Sequence, residues 1–210
     1  MLFLTSVFFA SGQYKFPSII VMDPYQTKLD SSFSKQIKAY EFETRATEGQ
    51  KKAFLTPFLA KSDNIKRMKA AEWDYRNKMN YSSTFSFGFY AMLSYIIFGA
   101  DPKSLVLLTH ETSDDNKEKL EQVARKYKVS YVINPVLLST FLQSGEKVSK
   151  VRLPVYDSNG KKVVVNKEYI GSSRNPGFDL TCEEGSFECT FNNITAPAIK
   201  DVLAVLRSKD

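Results

Sequence analysis

The chain contains one histidine, His110, and two cysteines, Cys182 and Cys189, in 210 residues. A zinc centre takes about four N, S or O ligands. So small a supply therefore excludes a metal site built from several His or Cys, and no metal is expected. It also confines Ser/His or Cys/His nucleophilic chemistry to arrangements that use His110. No G-x-S-x-G elbow, P-loop or G-x-G-x-x-G fingerprint occurs, so no cofactor is expected. Carboxylates are plentiful, but no spacing singles out a glycosidase pair.

What is present is aromatic and basic. There are 16 phenylalanines, 11 tyrosines and one tryptophan, with 43% hydrophobic and 25% charged residues and a net charge of +6. Disorder, collagen and coiled-coil compositions fit poorly, and a chain of this size buries roughly 70% of its unfolded surface. The densest basic run, Lys61, Lys66, Arg67, Lys69, Arg76 and Lys78, is interspersed with Asp63, Glu72 and Asp74. Mixed signs at that spacing mark a solvated helix face, so a nucleic-acid partner is not expected and a basic nucleic-acid binder is the weakest reading.

Residues 1–12 are uncharged and rich in Leu, Phe and Val, with Ala10 and Gly12 at the small-x-small positions before Gln13. They read as a signal-peptide core, the alternative being an apolar strand, since no Lys or Arg precedes them. Residues 13–210 then form a single α/β domain with a helical, charged segment at about 31–81. Phe85 to Phe98, 14 residues, falls short of the roughly 20 a membrane helix needs. The segment is expected to be a buried helix capped by Ser82 or Ser83 and closed by Gly99 and Pro102, so no transmembrane span is expected.

The expected fold class is α/β, a mixed β-sheet with one parallel strand-helix-strand unit, an antiparallel hairpin and flanking helices. Residues 18–22 lack alternation, as in a strand covered on both faces. Residues 104–109 and 129–134 are apolar strands, and 112–128 between them is amphipathic, with Leu120, Val123, Ala124 and Tyr127 as its buried stripe. Val151, Leu153 and Val155 alternate with Arg152, Pro154 and Tyr156, then Asp157-Ser158-Asn159-Gly160 turns the chain, its Asn-Gly pair being a hairpin signal because both residues can take positive φ, and 161–170 returns. Pro154 cannot donate to a ladder, so it should face outward or sit at a bulge. A last helix runs from about Ala196 to Arg207, capped by Thr195.

Cys182 and Cys189 fall opposite each other if Gly185-Ser186 form a two-residue turn, a spacing that permits a disulfide hairpin clasp. The alternative is a pair of reduced thiols. His110 follows the first strand of the parallel unit, where open α/β sheets bind ligands, with Glu111, Asp114 and Asp115 nearby to orient it. It is the one catalytic candidate, set against a plain surface histidine. Asn80-Tyr81-Ser82 and Asn193-Ile194-Thr195 match the glycosylation triplet and are expected by chance.

Residues 123–133 (Val-Ala-Arg-Lys-Tyr-Lys-Val-Ser-Tyr-Val-Ile), Tyr156 to Lys161, Glu168-Tyr169-Ile170-Gly171 and the terminal helix carry a family resemblance. Residues 104–206 resemble the small α/β domain shared by the curli secretion channel, the lipoprotein activators of penicillin-binding proteins and the amino-terminal domain of the Tol-system propeller protein. The sequence departs from that group at Lys128 and Asn134, where glycine is usual, and in having no lipid-bearing cysteine. The resemblance implies a non-enzymatic, periplasmic or secreted envelope module with an envelope protein as partner, and transfers no functional residue. An α/β enzyme with a hydrolase-like site near His110 is the alternative.

Overall fold

The computed structural model describes residues 16–33, 48–174 and 182–207. The apolar stretch 1–12, read above as a signal segment, lies outside them. Seven strands form one mixed sheet: β1 (Ile19–Val21), β2 (Gln26–Leu29), β3 (Val106–Leu108), β4 (Tyr131–Ile133), β5 (Leu137–Gln143), β6 (Glu146–Asp157) and β7 (Lys162–Ser172). The helices are α1 (Glu48–Leu55), α2 (Asp63–Arg76), α3 (Tyr81–Ala100), α4 (Lys117–Tyr127) and α5 (Phe187–Arg207), with 3-10 turns at Ser31–Phe33 and Thr56–Phe58.

The sheet is simplest to follow outward from β6. Its twelve residues pair antiparallel with β7 on one side and with β5 and then β4, end to end, on the other. β1 and β2 lie end to end in the same way, β1 parallel to β4 and β2 parallel to β5. β3 closes the far edge, parallel to β1. The expected parallel unit is therefore present in orientation and helix, but β1 is interleaved between its two strands. The connection β1 to β3 runs toward the edge and β3 to β4 runs back over β1, so right-handed crossovers place α3 and α4 on opposite faces. Ile19, Ile20 and Val21 are accordingly all fully buried, which is why that segment shows no alternation.

The strands are interrupted where prolines fall. β4 and β5 are broken at Asn134-Pro135-Val136, and on β6 the facing residue is Pro154: Asn134 N–H donates to its carbonyl and Val136 N–H to that of Arg152. The missing Pro154 donor thus points into the break, one residue from the bulge at Val155/Tyr156.

α4 begins at Lys117 with Asn116 as cap, not at Thr112, and buries Leu120, Val123 and Ala124. It ends at Lys128 in the left-handed region (φ 54°), one of the two positions where the resembled domains carry glycine. α3 is longer than expected, 20 residues from the cap Asn80, and Gly99 lies inside it. The helix is thus long and apolar enough to cross a membrane by length and composition alone, but nine of its residues are buried against β1, β3 and α5. α2 presents Met68 and Tyr75 inward and pairs its outer charges along the helix (Lys66–Asp63, Lys69–Glu72, Arg76–Glu72), as expected of a solvated face.

Three local expectations are corrected. The hairpin after Asp157 has the expected four-residue length, displaced by one residue to 158–161, but neither Asn159 nor Gly160 takes a positive φ: the left-handed residue is Lys161 (φ 50°). Asp157 Oδ1 accepts the Asn159 N–H at 3.0 Å, and this local bond competes with the positive-φ Asn-Gly turn. A two-residue hairpin with both residues at positive φ is Ser144-Gly145 (φ 51° and 83°), joining β5 and β6. The terminal helix starts at Phe187, so Thr195 is buried within it rather than capping it. An interior proline costs about 3 kcal/mol, and an unbroken buried stripe of Phe187, Phe191, Ile194, Ala198, Val202 and Leu206 offsets it. Lastly, Cys182 and Cys189 do form a disulfide (Cα–Cα 5.2 Å), but between a loop and the first turn of α5, not across a hairpin. Ser186 Oγ accepts the Cys189 N–H at 3.1 Å, and this capping bond starts a helix where a return strand was expected.

Candidate functional site

The carboxyl ends of β1 and β3 bring Asp23 and His110 together, as the position of His110 suggested. The partner that orients the imidazole is Asp23, 87 residues away, and not Glu111, Asp114 or Asp115. His110 Nδ1 lies 2.8 Å from Asp23 Oδ2, and Nε2 lies 2.9 Å from the Tyr75 carbonyl. Both ring nitrogens face acceptors, so the arrangement is satisfied by a doubly protonated imidazolium. Tyr75 stacks on the ring at 4.0 Å between centroids and 4° between planes.

Asp23 is 6% exposed. Tyr75 Oη donates to its Oδ1, and Ser83 Oγ to its Oδ2 at 3.1 Å. Tyr75 comes from the last turn of α2, Ser83 from the first turn of α3, and Asn80, which caps α3, accepts from both the Ser83 N–H and hydroxyl. The carboxylate thus ties two helices and two strands together. Partial burial alone would lower the His110 pKa, but the Asp23 hydrogen bond and charge outweigh it, with the Tyr75 carbonyl, and the value is raised. Burial first, then the Asp23 charge, pushes the Tyr75 hydroxyl well above its ordinary value.

The acidic neighbours of His110 are engaged elsewhere. Glu111 pairs with Lys126 at 2.7 Å and Lys119 at 3.5 Å, and Asp115 with Arg152 at 2.8 Å. In this arrangement neither nitrogen of His110 holds a lone pair toward solvent, which general-base work requires. Asp23, Tyr75 and Ser83 went unnoticed in the sequence because an isolated Asp-Pro, a helix Tyr and a helix Ser carry no spacing that links them.

The crevice itself is filled. Where an open α/β sheet leaves a gap beyond its strand ends, β1 and β4 continue: Tyr25 N–H donates to Pro135 O and Gln26 N–H to Val136 O, each at 3.0 Å. The loop after β3 is bonded over the junction, with Asp23 N–H to Glu111 O at 3.0 Å and Asn134 Nδ2 to Ser113 O at 3.2 Å. Among the described residues no cluster of His, Cys, Asp and Glu fits a metal ion. Of the glycosylation triplets, Asn80 caps α3, and Asn193 lies inside α5 with its amide donating to Ser172 O and Arg174 O at 2.8 Å.

No protein-family model and no curated protein matches the chain. Among solved structures it is similar to a protein from Xanthomonas campestris (9% identity, 96% of this chain and 93% of that one, TM-score 0.42). It is also similar to the PelC dodecamer subunit from Paraburkholderia phytofirmans (13% identity, 91% and 89%, TM-score 0.34) and to the LpoB C-terminal domain from Escherichia coli (11% identity, 80% and 91%, TM-score 0.25). The last of these is of the kind that residues 104–206 resemble. At these identities and TM-scores the likeness carries nothing about activity or partners.

Proposed function

We propose that the chain is an extracytoplasmic envelope protein, periplasmic or secreted, that works by binding another protein rather than by catalysis. One observation carries the reading: the solvent side of α3 is uncharged. In 20 residues the helix has no Asp, Glu, Lys, Arg or His, and its open side shows Gly88, Ala91, Tyr95 and Gly99, with Tyr95 83% exposed. A surface helix ordinarily carries charge opposite its core stripe, whereas interface cores are poor in charge and rich in aromatics. The Cys182–Cys189 disulfide supports an oxidising compartment.

The experiment is site-specific photo-crosslinking in intact cells. A crosslinker replacing Tyr95 is expected to trap one envelope protein that the same group at exposed Asn159 does not trap, and Ala91→Arg is expected to abolish the adduct. Recovery of the chain in the cytosol, or identical adducts from both positions, overturns the proposal.

A further inference from the structure

α1, the 3-10 turn Thr56–Phe58 and α2 form a lobe beside β3 that neither the Asp23 cluster nor α3 explains. Its interior is aromatic: Phe54 lies 5.0 Å from Trp73 and 6.0 Å from Phe58, centroid to centroid, and Lys69 Nζ sits 5.4 Å from the Phe58 ring. Its tip is apolar and open to solvent. Pro57, Leu59 and Ala60 are exposed, Leu59 by 65%. Around the tip basic groups outnumber acidic ones. Residues 48–78 hold eight Lys or Arg against four Asp or Glu, most of the net +6 of the chain. Two of the four acidic groups are closely paired, Asp74 with Lys51 at 2.7 Å and Glu72 with Lys69 at 2.7 Å, and exposed Asp63 lies 3.4 Å from Lys66. Exposed Lys52 and Lys61 flank Leu59 in sequence and make no ion pair among the described residues.

An aliphatic tip between lysines, backed by a Trp/Phe cluster, matches the chemistry of the boundary between an anionic lipid headgroup layer and its acyl chains. We infer that the Pro57-Phe58-Leu59-Ala60 tip docks on an anionic lipid surface, Leu59 entering the headgroup layer while Lys52 and Lys61 lie over the phosphates. Single-stranded nucleic acid is bound through aromatic faces that receive bases. Here the rings pack against one another at a tilt (38° and 51°) and the exposed groups are aliphatic, which favours lipid.

The test is flotation of the full chain with vesicles of phosphatidylglycerol and phosphatidylcholine, and with phosphatidylcholine alone. Binding is expected only to the anionic vesicles and to fall as salt is raised. A juxtamembrane lysine contributes about 1 kcal/mol, roughly fivefold in partitioning, so Lys52→Glu with Lys61→Glu is expected to lower it at least ~25-fold, and Leu59→Asp to lower it as well. The same charge change at Lys28 and Lys162, both exposed on the sheet, is expected to leave it near wild type. The inference is overturned if the tip variants float like wild type, the result expected if residues 1–12 alone bind lipid. It is also overturned if the Lys28/Lys162 pair is as damaging, or if the chain binds a DNA strand more tightly than the vesicles. The vesicles contain no protein, so the result is independent of the partner proposed for α3.

Discussion

Replacing Asp23 with alanine removes the acceptor that Tyr75, Ser83 and His110 share. A hydrogen bond to a charged group is worth about 1.5–3 kcal/mol, but two of the three donors have a second acceptor in place. Tyr75 Oη lies 3.1 Å from Ser83 O, and Ser83 Oγ lies 3.1 Å from Asn80 Oδ1. Only the imidazolium loses its counter-charge outright, so the net loss is about 3 kcal/mol, or ~6–12 °C in Tm for a chain of this size. The loss depends on pH. The folded-state pKa of His110 is raised, so its stabilisation is full below the unfolded value of about 6.5 and disappears as pH rises through the folded value. The gap between wild type and Asp23→Ala, read from urea unfolding across this range, is therefore expected to be widest near pH 6 and to narrow toward pH 9. A gap under ~1 kcal/mol at pH 6, or one that widens with pH, would refute the assignment of the cluster as a charged clasp.

Other perturbations follow from single contacts. Cys182→Ser opens a loop with a sequence separation of 7, worth about 2.5 kcal/mol by the chain-entropy relation; the wild type is expected to show no reactive thiol until reduced, and a thermal melt with reductant should match the variant. At Gly171 an added Cβ would meet the Thr190 carbonyl of α5 at 2.2 Å, and Gly171→Ala is expected to destabilise by about 2–3 kcal/mol because backbone must move; calorimetry at wild-type Tm would contradict that packing. Lys128 occupies the left-handed region, so Lys128→Gly is expected to gain about 0.5–1 kcal/mol in chemical denaturation, whereas a loss would show the lysine side chain to matter more than its backbone.

The legible parts of the fold were those whose pattern is local. α4 could be read from its stripe and its acidic-to-basic gradient, and β1, β3 and β4 from apolar runs with no alternation. β5 could not be read, because its inward Thr140 is polar and is satisfied by Tyr81 of α3 at 2.9 Å and by Ser149, opposite it on β6, at 2.7 Å. A strand-helix-strand pattern fixes direction but not neighbour, so the interleaving of β1 left no trace in residues 104–134. The first half of α5 was obscured by Pro197 and by a Cys-Glu-Glu-Gly-Ser-Phe-Glu-Cys spacing that suits a hairpin equally well. At the candidate site, the position of His110 was legible and its partners were not, since residues 23, 75, 83 and 110 converge only through the sheet order.

The same geometry explains why a residue that reads as catalytic sits in what behaves as a structural joint. In a parallel sheet the carboxyl ends collect the loops, and a histidine there ordinarily faces an open crevice. Here Pro24 and Pro135 interrupt the two central strands without ending them. Each strand loses a turn of regular pairing and resumes as β2 and β5, and Pro154 on β6 lies opposite the break, where no donor is needed. The continued sheet occupies the crevice, the β3–α4 loop is bonded across it, and Asp23 becomes a buried charge that must be neutralised from within. His110 supplies that charge and Tyr75 and Ser83 the remaining donors. Chemistry at the strand ends would have to break this clasp first, and the same clasp holds the first turn of α3 through Ser83 and the last turn of α2 through Tyr75.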